Sequence, residues 1–372
     1  MGEANVNGRD VFITGIGSYS PGNPVPFDQI ENVLGRITDA SPKIMRRIDK
    51  MRPVIKELLG IEYSHYALDQ QSRKMTESNV SMSVKAAEKA FENADISAGQ
   101  VDLIVYAGIL YDCLCPPSSV LVQEALNIPY CAEMAIHSNC TAIYKAIQVA
   151  ADAIAIGRYD TALVVTSQMS SAFLRAEYFN QKAITEEQAI LRWFLSDGAG
   201  ALIISSERPS KKGFKIVDTY LESVGLGIPP TMKMMIGAEN HIIPDFYEKG
   251  LHHLTQDIKT VSKIAPDMFV KGLNTMIEKS KLDVGTVKCF FANIPTKHLM
   301  DLAVKSLRRD WNNAKLPFYT KMATCGYQGA PAIVIALDNY INETELKEGD
   351  RIVSFVTESS KWMHAGFIFD YC

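Results

Sequence analysis

Residues 84–102 read VKAAEKAFENADISAGQVD, and residues 270–288 read VKGLNTMIEKSKLDVGTVK. The two stretches align without a gap at an offset of 186, matching Val84 to Val270, Lys85 to Lys271, Ile96 to Leu282, Gly99 to Gly285 and Val101 to Val287. In each copy the apolar positions recur at the helical period, and the run closes on a glycine-containing turn. An apolar strand follows, LIVYAGI (103–109) in the first copy and CFFANI (289–294) in the second. Later segments correspond as well. CTAIYKAIQVAADAIAIG (140–157) and GYQGAPAIVIALDNYI (326–341) both read as small-residue-rich apolar helices. TALVVTS (161–167) pairs with RIVSFVTES (351–359), and AGALIIS (199–205) pairs with AGFIFDYC (365–372). Such continuous Val/Ile/Leu runs suit strands covered on both faces.

Two copies of strand–helix–strand units predict an α/β fold of two similar sheets about a pseudo-two-fold axis, with buried helices between them. The expected division is 1–208 and 209–372. The strand-to-helix junctions then converge near the axis, where α/β sheets place their sites. The junctions are Ser138–Thr141, Cys325–Gly329 and the NIPTKH stretch (293–298).

The bulk numbers narrow the function classes. The chain has 372 residues, 47% hydrophobic and 22% charged, with a net charge of −4. That balance speaks against nucleic acid or an anionic membrane as the main partner. No apolar run reaches the roughly 18 residues a spanning helix needs, and MGEANVNGRD at the start lacks the blocks of a signal peptide. Seven cysteines without a CxxC pair suit a reduced, cytoplasmic chain. Cys113 and Cys115 form only a CxC, a weak metal hint with no second half; no metal and no cofactor are expected.

Cys140 is the candidate nucleophile. It lies between CAEMAIHSN (131–139), read as a short strand, and an apolar helix running to Gly157. With Ser138 or Asn139 as cap, Cys140 falls in the first turn. There unpaired amides and the positive helix end would stabilise a thiolate and hold an oxyanion.

Several segments together resemble the thiolase-superfamily condensing enzymes, and among them the β-ketoacyl-ACP synthase III branch. They are VFITGIGSYSPG (11–22), LGIEYSHY (59–66), PPSSVLVQEALNI (116–128), the Cys140 segment, GRYDTALVVTSQ (157–168), FLSDGAGALIIS (194–205) and GYQGAPAIVIALD (326–338). The resemblance implies the thiolase fold, a duplicated αβαβα layered architecture, in a homodimer. It also implies a cysteine acylated from a CoA or acyl carrier protein thioester, followed by decarboxylative condensation with a malonyl thioester. The chain departs from the family at the cysteine's partners. Asn293 stands where the family has a catalytic histidine, and Tyr327 stands at the catalytic asparagine. The glycine-rich loop becomes TESSKW (357–362), which brings Ser360 to the pocket.

Asn293, with the Tyr327 hydroxyl or the Gln328 amide, supplies donors for an enolate oxygen. Asn293 cannot serve as a general base. His298, five residues on, is the alternative imidazole, with His137 and His364 as further candidates. Pro116 replaces the family's aromatic gate, and Leu58 and Leu59 stand near its CoA-binding arginine, which favours a carrier-protein donor. The basic stretches 43–52 and 305–315 are candidate docking faces. Segment 170–193, with 229–246, is expected to cap the pocket, lined by Met232, Met234 and Met235. Two other functions stay open: transfer of the Cys140-bound acyl group to an alcohol or amine, and a structural partner of an active homologue.

Overall fold

The computed structural model describes residues 8–239, 242–311 and 315–372. Asn240 and His241 of the expected cap, Asn312 to Ala314 of the second basic stretch and the first seven residues lie outside them. Ten strands form the sheet: β1 (Phe12–Tyr19), β2 (Leu103–Gly108), β3 (Ala132–His137), β4 (Thr161–Gln168), β5 (Gly198–Ser205), β6 (Phe214–Ser223), β7 (Val287–Ala292), β8 (Phe318–Tyr319), β9 (Arg351–Glu358) and β10 (Met363–Tyr371). They are hydrogen-bonded in the order β8-β7-β9-β10-β6-β1-β5-β4-β2-β3. Outward from the centre, the first five strands and the last five follow one plan. β2 runs parallel to β3 and β4, as β7 does to β8 and β9. The remaining neighbours within each half are antiparallel. The halves meet where Phe12 and Ile13 pair with Lys215 and Phe214.

Six helices repeat the same way: α1 (Asn79–Ala94), α2 (Ser118–Ala125), α3 (Ala142–Ala155), α4 (Ile258–Ser280), α5 (Lys297–Asp310) and α6 (Pro331–Glu343). The offset of 186 survives to single hydrogen bonds. α1 stops at Asp95 and α4 at Lys281, both left-handed. Their N–H groups reach the carbonyls of Phe91 and Glu92 in one copy and of Ile277 and Glu278 in the other. A single left-handed residue thus ends each helix, and the glycines expected at the stop fall one element later, in short 3-10 turns at Ala98–Gln100 and Val284–Thr286.

Alternation along each strand sorts side chains into layers. β2 sends Leu103, Val105 and Ala107 to a central core with α3 and α6, and Ile104 and Tyr106 to an outer core with α1. In the second half β9 sends Ile352 and Val356 inward, and Val353 and Phe355 to an outer core with α4 and α5. The stack is therefore helix, sheet, paired helices, sheet, helix, the αβαβα layering expected. A fourth cluster joins residues 25–68 to the segment around Glu186–Phe194 and to Tyr327, forming the cap. Among the described residues no helix is long and apolar enough to cross a membrane.

Two glycines set the layer spacing. A Cβ at Gly17 on β1 would lie 2.2 Å from the Ala86 carbonyl of α1, and one at Gly200 on β5 would lie 2.4 Å from Val334 Cβ of α6. Because backbone oxygen cannot step aside, Gly17→Ala is expected to destabilise the protein by about 3 kcal/mol. A denaturant midpoint equal to wild type would show that the layers have slack.

Candidate active site

β3 ends at His137 and α3 begins at Ala142, so residues 138–141 form the turn that carries Cys140. The cap of α3 differs from the one expected. Thr141 is the N-cap residue and its own side chain makes no capping bond. The helix start is capped from the other lobe by Glu358, the last residue of β9. Its Oε2 accepts from the Asn139 N–H at 3.1 Å, the Thr141 N–H at 3.0 Å, Thr141 Oγ1 at 2.6 Å and Ser138 Oγ at 3.2 Å. Its Oε1 accepts from Ser360 Oγ at 2.5 Å. Glu358 is 2% exposed, and this set of donors replaces the water that a buried carboxylate would lose. Lys145, one turn into α3, donates to Ser138 Oγ at 2.8 Å.

This clamp corrects the expected thiolate. Two of the amides that would have stabilised it are bonded to Glu358, and the carboxylate adds a negative charge beside the sulfur. Burial first, and Glu358 second, push the Cys140 thiol up to about 12. Tyr327 Oη opposes this by donating to Cys140 Sγ at 2.9 Å, and the Cys140 N–H turns toward its own sulfur. These surroundings favour the protonated thiol over the thiolate. It opens on a cavity of about 560 Å³ walled by Tyr111, Phe194, Leu195, Met232, Leu254 and Tyr327, among others. A second cavity of about 470 Å³ adjoins it, sharing Ile109, His137, Met232, Met234 and Ser360, with Lys145, Glu358 and Lys361 in its wall.

The structure brings some expected residues together and separates others. Tyr327 touches the sulfur, its ring 5.3 Å from that of Phe194. Asn293 follows β7, is buried and lines neither cavity, and neither its amide nitrogen nor its oxygen meets the geometry of a full hydrogen bond. Its side chain lies beside the Tyr144 hydroxyl, which bonds Ser354 Oγ at 2.7 Å. A buried amide with both ends open is costly unless something else completes it. Ser360 lines both cavities and Met232 and Met234 line the first, whereas Met235 faces only the second.

Three placements are corrected. His298 is exposed and outside the cavity, because Thr296 caps α5 through the Leu299 N–H and the buried side of that helix carries Ala303 and Leu307. Pro116 is also exposed, since the chain lines the cavity with residues 109–114 before reaching it. Gln328 is buried with its Nε2 donating to the Cys325 carbonyl at 2.5 Å, away from the cavity. Of the further histidines, His137 lines both cavities, while His364 is buried in β10.

Glu358 was the residue the sequence reading missed. Its signal was there: a lone acid closing the apolar strand RIVSFVTE. What the sequence did not offer was the 220-residue leap to Ser138.

Comparison with known proteins agrees with the fold. Residues 134–225 match the family model for 3-oxoacyl-[acyl-carrier-protein (ACP)] synthase III. The chain is 23% identical over 347 residues to β-ketoacyl-[acyl-carrier-protein] synthase III of Clostridium perfringens strain SM101, covering 92% of this chain and 93% of that one. It is 26% identical over 347 residues to the Clostridium acetobutylicum protein of the same name, covering 93% and 94%. Among solved structures, AbyA1, a tetronic acid condensing enzyme, superposes with a TM-score of 0.78 at 19% identity over 96% of this chain and 99% of that one. A single-site variant of OleA from Xanthomonas campestris superposes with a TM-score of 0.78 at 17% identity, covering 99% and 100%. The fold is the thiolase fold, and the chain is a divergent relative, at low identity, of the synthase III-like condensing enzymes.

Tyr327→Phe removes the one side-chain hydrogen bond that favours the thiolate. Alkylation of Cys140 should then need a pH higher by about half a unit or more, read by peptide-resolved labelling with iodoacetamide. An unchanged profile would mean the 2.9 Å contact does not govern the sulfur.

Proposed function

We propose that the chain is an acyl-transferring condensing enzyme in which Cys140 accepts an acyl group from a carrier-protein or CoA thioester. A malonyl-type thioester then decarboxylates and its enolate attacks the acyl-enzyme, in fatty-acid or specialised lipid or polyketide synthesis. The observation that carries this reading is the Cys140 sulfur, bonded to Tyr327 and facing a largely apolar cavity of about 560 Å³. In this reading the half spanning 1–208 supplies the nucleophile, with a cap insert near 170–193, and the half spanning 209–372 supplies Asn293, Tyr327 and Glu358. Asn293 is the proposed donor to the enolate oxygen, on its place in the sequence and its open amide; it is buried outside both cavity linings, so substrate must displace its Tyr144 neighbourhood to reach it. A cytoplasmic setting is part of the proposal, the seven cysteines being unpaired.

A second reading has its own support. Asn293 is not an imidazole, and a carboxylate already lies beside the nucleophile, which works against seating a second one from malonate. Transfer of the acyl group to a neutral alcohol or amine avoids that repulsion. A purely structural partner subunit is the weaker reading, since it would need neither the sulfur nor its cavity.

Two further features belong to the proposal. β3 is one of the two edge strands of the sheet, and much the longer of them, with Met134 37% exposed and Ala135 beside it. Such an edge invites antiparallel pairing with a second copy, so the homodimer is proposed to form there. Carrier docking is proposed along the helix Pro42–Leu59, although Arg47 and Arg52 already pair with Glu186 and Glu31.

Intact-protein mass spectrometry after incubation with acyl-carrier thioesters should show an acyl adduct on wild type and none on Cys140→Ala. Malonyl-carrier protein should then release a two-carbon-extended product, and a product on an added alcohol or amine instead would select the second reading. Absence of any adduct would sink both. Asn293→Ala should keep the adduct but slow the second step about a hundredfold. For the assembly, light scattering should give twice the chain mass for wild type and the single-chain mass for Met134→Asp; a wild-type monomer would remove the edge-strand interface.

A further inference from the structure

β4 and β9 occupy equivalent places in the two halves, and they end on Gln168 and Glu358. Each points a polar side chain toward the start of a central helix. Gln168 approaches the start of α6, where a Cβ on Gly329 would sit 3.7 Å from its Oε1 and 3.2 Å from Asn139 Oδ1. Glu358 reaches the start of α3 and takes both amides that flank Cys140. The pair is symmetric in position and unlike in charge. A glutamine at 358 would fill the same space without the charge, so packing alone does not account for a buried glutamate.

We propose that Glu358 is a positioning residue for thioester exchange at Cys140: by tying residues 138–141 to the second lobe it fixes where the sulfur stands. Its charge beside the sulfur also favours the protonated thiol. This rests on the acyl-transfer reading given above. The exchange balances without an external base. The Cys140 Sγ–C bond forms, the donor's C–S bond breaks, and the proton that leaves Cys140 ends on the departing carrier thiol. The exchange is proton-neutral overall because Cys140 gives up its proton as it attacks and the departing thiolate takes one up; until then the neutral sulfur is poorly reactive toward stray electrophiles.

Other titratable groups face the same region: Tyr144 and Lys145 from α3, His137 from β3, Tyr327 ahead of α6, and Lys361 beyond β9. Asp112, Lys233 and Glu239 stand on the cavity walls. Of these, Lys145 reaches the Glu358 cluster through Ser138 Oγ, and Tyr327 touches the sulfur directly.

The test is iodoacetamide labelling of Cys140, resolved by peptide, across the neutral-to-alkaline range on the full chain. Glu358→Gln should move the labelling midpoint to lower pH by about one unit, because the neighbouring charge is gone while an acceptor oxygen remains. Glu358→Asp keeps the charge but withdraws the clamp. Its midpoint should stay near wild type while kcat for acyl-enzyme formation falls about tenfold or more at similar KM. A Glu358→Gln profile that superposes on wild type, with native circular dichroism, would overturn the proposal. Should that variant fail to fold, an unchanged kcat in Glu358→Asp overturns it instead. Labelling needs no thioester, so a shifted midpoint in a protein that accepts no acyl group would keep the charge effect and remove the acyl-transfer reading.

Discussion

The structure depends on burying α3 and α6, two helices that put more than half of their residues out of solvent. α3 alone puts Ala142, Ile143, Tyr144, Ala146, Ile147, Ala150 and Ile154 out of solvent. A single sheet covers one face of such a helix and leaves the other wet, which is unfavourable by roughly 25 cal/mol for every Å² of apolar surface. Two sheets with the helices between them remove the problem for both at once. The small residues matter here, since Gly200 lets Val334 of α6 approach the β5 backbone. Each half-sheet then has a second face, which α1 and α4 cover from outside. Layering follows from that one requirement.

The same requirement locates the chemistry. Central helices that start at the seam bring their first turns close to the strand ends of both halves. Cys140 from one half therefore meets Tyr327 and Glu358 from the other. Polar groups there are shut away from bulk water, so each is either satisfied or poised. Glu358 is satisfied by amides and hydroxyls. Asn293 is not, and it sits one residue past a buried strand of the second half. A neutral thiol, a phenol, a carboxylate and an open amide form a site that differs in character from one built on an imidazole.

Much of the fold was legible because period and repetition are properties of the chain itself. The gapless offset between residues 84–102 and 270–288 reappears as matched helix ends at Asp95 and Lys281. Cys140 could be singled out because it sits at a junction where strand pattern gives way to helix pattern, and Tyr327 because the family resemblance places it at the catalytic asparagine. The failures share a cause. The charge state of Cys140 was read from the local helix start, yet Glu358, far along the chain in the other half, weighs on it. His298 rests on closeness in sequence and Pro116 on the family's gate position, and a cap at Thr296 and a loop at 109–114 turn them outward. Gln328 is adjacent to a site residue but faces the opposite way, toward Cys325. Side-chain direction at a turn is a tertiary outcome, and linear spacing carries little of it.

Glu358 and the Thr141 amide it holds are separated by 217 positions in the chain. During synthesis α3 leaves the ribosome long before β9 does, so it must wait with an uncapped start and a loosely held cysteine. Cys140 acquires the geometry seen here only when the second lobe has been made and has docked on the first. A chain stalled before that strand is thereby denied a configured sulfur, and competence becomes a report that the two lobes have closed on each other.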